Sequence, residues 1–100
     1  MSMKVNINSV HFKSDKKLES FITGKLDKLS TYYDGLISSE VILKLDNSTE
    51  SNNKIAEIRL NIKGNDLFAK KQCKSFEEAT DSAVEALRRQ LKRHKEKLKI

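Results

Sequence analysis

Residues 56–87, AEIRLNIKGNDLFAKKQCKSFEEATDSAVEAL, contain the change of hydrophobic period that decides the fold class. Apolar and polar residues first alternate, as in a half-buried strand, with the apolar positions at Ala56, Ile58, Leu60 and Ile62. The sequence Gly-Asn-Asp at residues 64–66 predicts a turn, and residues 67–73 predict a second strand, with two lysines typical of a sheet edge. From Ser75 onward the apolar spacing lengthens to three and four residues, which predicts a helix.

This last helix is predicted to begin with a capping box, because Ser75 and Glu78 have the required spacing. Its apolar stripe consists of Phe76, Ala79, Ala83, Leu87, Leu91 and Leu98. A helix over residues 76–99 is about 36 Å long at a rise of about 1.5 Å per residue, whereas a strand of ~7 residues covers about 23 Å. We therefore expect the helix to overhang the sheet beyond Arg88 and to make few apolar contacts there, chiefly through Leu91.

Two more strands are predicted nearer the N-terminus. The first is short, ends near His11, and has its apolar positions at Val5 and Ile7. The second has its apolar positions at Val41, Leu43 and Leu45.

A helix is predicted between these strands, with its apolar face at Leu18, Phe21, Ile22, Leu26 and Leu29. Ser14 is predicted to cap this helix, and Asp34-Gly35 to end the segment in a turn. Gly24 lies inside the helix, where glycine costs about 1 kcal/mol relative to alanine, so we expect close packing at that position. The element order β-α-β-β-β-α predicts an α+β two-layer sandwich. It would have a four-stranded sheet with both helices on one face, similar to a double-stranded-RNA-binding domain.

Length and composition exclude several classes of protein. A chain of 100 residues, 37% hydrophobic and 34% charged, predicts one soluble domain over residues 1–100. No apolar run approaches the ~20 residues of a membrane span and no signal peptide begins the chain, so we expect a cytoplasmic location and no membrane partner. Cys73 is the only cysteine, so no internal disulfide is predicted, and with only His11 and His94 as further ligands no metal site is predicted. We expect the thiol to pack as a small apolar side chain.

Catalytic constellations are also missing from the sequence. No nucleophile and base pair, no glycine-rich phosphate loop and no metal-ligand spacing stands out, and a domain this small has little room for a substrate cleft. We therefore predict that the protein is not an enzyme, with no catalytic residue, no cofactor and no small-molecule substrate.

The distribution of charge points instead to a polyanion. Residues 1–87 contain 13 basic and 13 acidic side chains, whereas residues 88–100 contain seven basic ones and a single acid, Glu96, so the whole net charge of +6 lies in the last thirteen residues. On one flank of the helix lie Arg88, Lys92, Lys95 and Lys99, and on the other lie Arg89, Arg93 and Lys97. The helix dipole favours cations only in the last turn, so seven exceed that need. This pattern favours phosphate binding, with a solvated helix end or another acidic partner as alternatives.

The first helix adds two lysines close to its apolar stripe, Lys25 within it and Lys28 at its edge. Lys25 could extend its stem along the core and place its ammonium in water. Alternatively, both lysines open into a groove between the helices and join Arg89 and Arg93 in one RNA-facing surface. Three aromatic residues are expected to pack rather than to bind bases or catalyse: Tyr32, Tyr33 and His94.

Two motifs in these helices resemble the short ribosome hibernation-promoting factors, which are related to the ribosome-associated inhibitors and sigma-factor modulation proteins. The first motif comprises Leu18, Phe21-Ile22, Lys25-Leu26, Lys28-Leu29 and Tyr32-Tyr33-Asp34. The second, more specific motif comprises Leu87, Arg89-Gln90-Leu91, Arg93-His94-Lys95 and Lys97-Leu98. The chain departs from the family where the last helix starts, with Ser75-Phe76-Glu77 in place of an Asp-Met-Tyr-like sequence and Thr80 in place of an isoleucine.

The resemblance implies a bacterial protein that acts in stress or stationary phase. Lys25, Lys28, Arg89 and Arg93 would touch RNA of the small subunit in the channel that messenger and transfer RNA otherwise occupy, and translation would be silenced while the ribosome is stored. Because the chain stops at Ile100, we expect the short form, without a separate dimerising domain or an acidic tail. The resemblance leaves open whether a second small factor is needed to pair ribosomes.

The main alternative is a generic double-stranded-RNA-binding domain, which shares the β-β-β-α order and a lysine-rich segment before its last helix. Glu77 and Glu78 argue against it, because they would repel a phosphate at the start of that helix. A membrane-surface helix is disfavoured, because residues 88–100 contain only three large apolar side chains, Leu91, Leu98 and Ile100.

Overall fold

The computed structural model describes residues 4–10, 13–33, 35–46 and 52–98, with side chains through residue 96. Its elements are β1 (Lys4–Ser9), α1 (Lys16–Tyr32), β2 (Leu36–Leu45), β3 (Lys54–Ile62), β4 (Asn65–Cys73) and α2 (Phe76–Leu98). The predicted order β-α-β-β-β-α is therefore confirmed. His11, Asp34 and Lys99 lie outside the described residues, as do the side chains of Lys97 and Leu98.

The four strands form one mixed sheet in the order β1-β2-β3-β4. β1 runs parallel to β2, and the other two pairs are antiparallel, with Ile58 opposite Val41 on one side and Ala69 on the other. β4 is an edge strand, as its lysines predicted. The turn before it comprises Lys63 and Gly64, and the φ of 81° at Gly64 is one that glycine adopts without strain. The turn predicted at residues 64–66 is thus displaced, because Asn65 already pairs with Ile62.

A single apolar core joins one face of the sheet to both helices. Its fully buried large side chains come from every layer: Val41, Leu43, Ile58 and Leu60 from the strands, Ile22 and Leu26 from α1, and Leu87 and Leu91 from α2. The two-layer sandwich is confirmed. Leu45 differs from the prediction, because it is the last residue of β2 and is 46% exposed. Cys73 is half-buried and packs against the core, as predicted for a small apolar residue.

The helix starts confirm one predicted cap and correct the other. The backbone N–H of Glu78 donates to Oγ of Ser75 at 3.1 Å, which confirms Ser75 as the cap of α2. The cap of α1 is Asp15, whose Oδ1 accepts from the N–H of Leu18 at 2.7 Å. The predicted cap, Ser14, instead donates its hydroxyl to Glu19 at 2.6 Å.

The predicted close packing at Gly24 is wrong. Gly24 is exposed, and a Cβ built there would meet no atom within 4 Å. The glycine is therefore not explained by a packing need.

The two helices run in the same direction, so their C-terminal ends lie together. Lys25 in the middle of α1 contacts Asp81 in the second turn of α2, and Tyr32 at the end of α1 contacts Lys95 near the end of α2. Near this end Leu91 is fully buried, and Nε2 of Gln90 donates to the carbonyl of Phe68 in β4 at 3.0 Å.

α2 therefore does not leave the core at Arg88, and the predicted overhang of the sheet is wrong as far as Leu91. Lys95 then packs against the end of α1. Tyr32 and Tyr33 extend the packed layer at the end of α1, and the ring of His94 meets Tyr33 edge-on at 5.7 Å between centroids. These contacts confirm the packing roles predicted for the two tyrosines and His94.

Candidate nucleic-acid interface

The charge of α2 changes sign along the helix. Residues 76–87 carry the acids Glu77, Glu78, Asp81 and Glu85, and residues 88–98 carry six basic residues and one acid, Glu96. Since α1 ends beside this second part, the C-terminal ends of both helices form one positively charged end of the molecule. We call its exposed cations the basic end: Lys28, Arg88, Arg89, Lys92 and Arg93.

A groove of about 370 Å³ lies between α1 and α2, and it shares Lys28 and Arg88 with the basic end. It is lined by apolar and charged residues: Leu29, Tyr32, Val84, Lys25, Lys28, Arg88, Asp81 and Glu85. Three cations and two carboxylates therefore face the same space. The groove is therefore less positive than the basic end.

Lys25 reaches this groove, and its ammonium is already paired there. Its Nζ lies 2.9 Å from Oδ1 of Asp81 and 5.5 Å from the centroid of the Phe21 ring, and the side chain is 30% exposed. Lys25 therefore lines the groove with Lys28, as the second alternative expects, but its ammonium pairs with Asp81 and the groove contains neither Arg89 nor Arg93.

Lys95 is engaged inside the protein as well. Its Nζ lies 4.5 Å from the centroid of the Tyr32 ring and donates to the carbonyl of Tyr32 at 3.3 Å. The last turn of α1 contains no basic residue of its own, so Lys95 supplies from α2 the cation that a helix C-terminus favours. Arg88 also approaches the Tyr32 ring, with Cζ 6.0 Å from its centroid.

The other predicted arginines are placed differently from expectation. Arg88, not Arg93, completes the groove with the two lysines of α1. Arg89 lines the adjacent hollow with Tyr32 and Lys92. Successive helical residues are rotated by about 100°, so Arg88 faces α1 while Arg89 and Arg93 turn toward the other flank.

The described residues contain no group of three or more histidines, cysteines, aspartates or glutamates that could hold a metal ion. Within the same residues, no helix has the length and apolarity to cross a membrane.

Comparison with known proteins gives this geometry a context. Residues 5–99 match the family described as Sigma 54 modulation protein / S30EA ribosomal protein. The chain belongs to this family. The resemblance seen in the two helical motifs is thereby confirmed.

Curated relatives in the family are named ribosome hibernation promoting factor. The Escherichia coli protein is 30% identical over 97 residues, which cover 97% of this chain and 98% of the relative. The Salmonella typhimurium protein is 31% identical over the same length and coverage. The Pseudomonas putida protein is 30% identical over 95 residues, or 95% of this chain and 89% of the relative.

Two solved structures share the fold. The N-terminal domain of Thermus thermophilus Protein Y superposes with a TM-score of 0.77 at 24% identity and covers 94% of this chain and 99% of its own. A ribosomal subunit interface protein from Coxiella burnetii superposes with a TM-score of 0.83 at 16% identity and covers 93% and 98%. At these identities the superpositions establish the fold alone.

Proposed function

We propose that this protein is a ribosome hibernation factor that binds ribosomal RNA of the small subunit. The observation that carries the proposal is the basic end, where the exposed cations of two parallel helices meet in a chain that belongs to the S30EA family. Phosphate contacts supply most of the sequence-independent affinity for nucleic acid, and folded RNA is recognised largely by shape. A compact cluster of exposed lysines and arginines suits both.

The basic residues take different parts in this proposal. The basic end supplies the first phosphate ligands, since its side chains are exposed. Lys25 and Lys95 already have internal partners, so they contribute to the field and reach RNA only when Asp81 or Tyr32 releases them. Lys97 and Lys99 continue the two basic flanks of the helix in sequence.

Binding would silence translation by occupation of a channel and not by catalysis. With its basic end in the path of messenger and transfer RNA, the domain of residues 1–100 would exclude both ligands from the small subunit while the ribosome is stored in the cytoplasm. Neither a bound cofactor nor a chemical step is required for such steric exclusion.

The proposal is tested by sedimentation of the protein with purified small subunits, with large subunits and with a free RNA duplex. We expect the protein to pellet with small subunits, and we expect messenger and transfer RNA bound beforehand to prevent this. If the duplex competes on equal terms with small subunits, the generic double-stranded-RNA-binding alternative is correct. If neither RNA target carries the protein, the proposed function is wrong.

A further inference from the structure

Two acidic residues lie on the same flank of α2 as the cations of the groove. Asp81, Glu85, Arg88 and Lys92 follow one another at spacings of four, three and four residues, and all four side chains are exposed. The sign of the charge therefore reverses between Glu85 and Arg88, within one helical turn.

Both carboxylates also contact groove cations. Oδ1 of Asp81 lies 2.9 Å from Nζ of Lys25, and Oε1 of Glu85 lies 3.6 Å from Nη1 of Arg88. Asp81 and Glu85 are 63% and 54% exposed, so each carboxylate still faces any polyanion that approaches the groove. Solvent-exposed ion pairs are weak, so these contacts compete with phosphate without preventing its binding at Arg88.

The spacing of the charges restricts the shape of an RNA that can bind. Asp81 lies about 10 Å along the helix from Arg88, at a rise of about 1.5 Å per residue. This is close to the screening length of about 10 Å at 0.1 M salt, so phosphates laid on Arg88 and continued along the flank are repelled. A straight duplex has phosphates all along its length and meets both acids. An RNA surface that ends or curves away at Arg88 stays about one screening length from Asp81 and meets mainly cations, with Glu96 as the one acid among residues 88–96.

We propose that Asp81 and Glu85 determine specificity by excluding long, straight RNA duplexes from the inter-helix groove. RNA is thereby confined to the basic end, and the protein discriminates in favour of a recessed or curved RNA surface. This kind of selectivity acts through repulsion of the wrong partner and not through added contacts with the right one. The inference rests on the proposed function and assigns a role to residues outside the basic end.

The test compares the double variant Asp81→Asn/Glu85→Gln with the wild type. Affinity is measured for small subunits and for a duplex RNA of about 30 base pairs, each over a range of salt concentrations. A duplex of this length covers the whole flank of α2 at a rise of about 1.5 Å per helical residue. We expect duplex affinity at 0.1 M salt to rise about tenfold, with a salt slope steeper by up to about 0.9 per charge removed. Affinity for small subunits should change by less than about threefold. This limit is about the change in affinity that one phosphate contact produces when the salt concentration changes fourfold.

Glu40→Gln/Asp66→Asn is the matched control, because it makes the same change in net charge on the opposite face of the sheet from the helices. Both acids are exposed and precede core-facing residues, Val41 and Leu67, in their strands. An equal gain in duplex affinity for this control would attribute the effect to net charge and overturn the inference. So would an unchanged ratio of duplex to small-subunit affinity in the double variant.

The single variant Glu85→Gln serves as a second probe, since its contact is with an exposed neighbour on the same helix and the fold does not depend on it. For duplex RNA, Glu85→Gln should give about half of the change in salt slope that the double variant gives. A wild-type protein that does not bind small subunits would refute the proposed function itself, which is a different outcome from a protein that binds them with unchanged discrimination.

Discussion

The two parts of α2, residues 76–87 and residues 88–98, differ in burial and in surface charge. In residues 76–87 three residues of the apolar stripe are fully buried, Ala79, Ala83 and Leu87, and the outer charges are acidic. In residues 88–98 the described side chains contain one fully buried residue, Leu91, and the outer charges are basic. The change of sign coincides with the point where the helix reaches the end of α1, because Arg88 approaches the ring of Tyr32.

Stability and RNA affinity should therefore be separable at the level of neighbouring residues in α2. The buried stripe continues into the basic part, so the difference between the parts lies in their surface charge and not in whether they pack. Exposed charges contribute little to folding but much to a phosphate interface.

The largest effect is expected from a pair of neighbours within the basic part. Leu91→Ala should lower the free energy of unfolding by about 2 to 5 kcal/mol, because it removes most of a fully buried side chain and leaves a cavity in the core. Lys92→Ala should change it by less than about 0.5 kcal/mol, because Lys92 is exposed.

Urea unfolding followed by circular dichroism measures both values, and binding is measured where each variant is folded. Folded Leu91→Ala should bind as the wild type does, whereas Lys92→Ala should bind more weakly. Equal stability of the two variants would mean that the helix does overhang the core from Arg88.

A smaller effect is expected at the contact between Lys95 and Tyr32. Lys95→Met keeps the aliphatic stem but removes the charge from the ring and from the carbonyl at the end of α1. We expect a loss of about 1 kcal/mol in the free energy of unfolding, the usual size of a cation–π contact or a helix-terminus charge. Unchanged stability together with a large loss of RNA affinity would show that Lys95 is a phosphate ligand first.

The smallest effect is a gain of stability far from both parts of α2. Gly24→Ala places a methyl group in open space on the outer side of α1. It should raise the free energy of unfolding by up to about 1 kcal/mol, because glycine is a poor helix former. The affinity for small subunits should stay within about twofold of the wild-type value. Such a change is well below the tenfold change in affinity that corresponds to about 1.4 kcal/mol. A destabilised Gly24→Ala variant would restore the close packing predicted from the sequence.

Local signals in the sequence predicted most of the fold. Strand alternation gave the buried positions of β3, and the capping box at Ser75 is a short-range pattern that fixes the start of α2. The same local rules could not choose between Ser14 and Asp15, because both residue types cap helices and they are adjacent.

Tertiary contacts account for the errors at the site. The periodicity of α2 separates two basic flanks, but it does not reveal which flank faces α1. The prediction therefore places Arg89 and Arg93 in the groove that Arg88 completes. The pairing of Lys25 with Asp81 joins residues far apart in the sequence. The roles of the basic residues in RNA binding remain predictions.

The central claim is that the basic end binds RNA without supporting the fold. Its most direct test reverses Lys28, Arg88, Arg89 and Lys92 to glutamate in one variant. The matched control reverses four exposed lysines near the opposite, N-terminal ends of the two helices: Lys13, Lys16, Lys17 and Lys74.

Co-sedimentation with small subunits over a salt series and the thermal transition are measured for both variants. We predict that the control binds almost as the wild type does. The basic-end variant should lose binding and keep a nearly unchanged thermal transition, and single reversals should flatten the salt slope by about 0.7 to 0.9 each. Loss of binding by the control together with normal binding by the basic-end variant would contradict the claim.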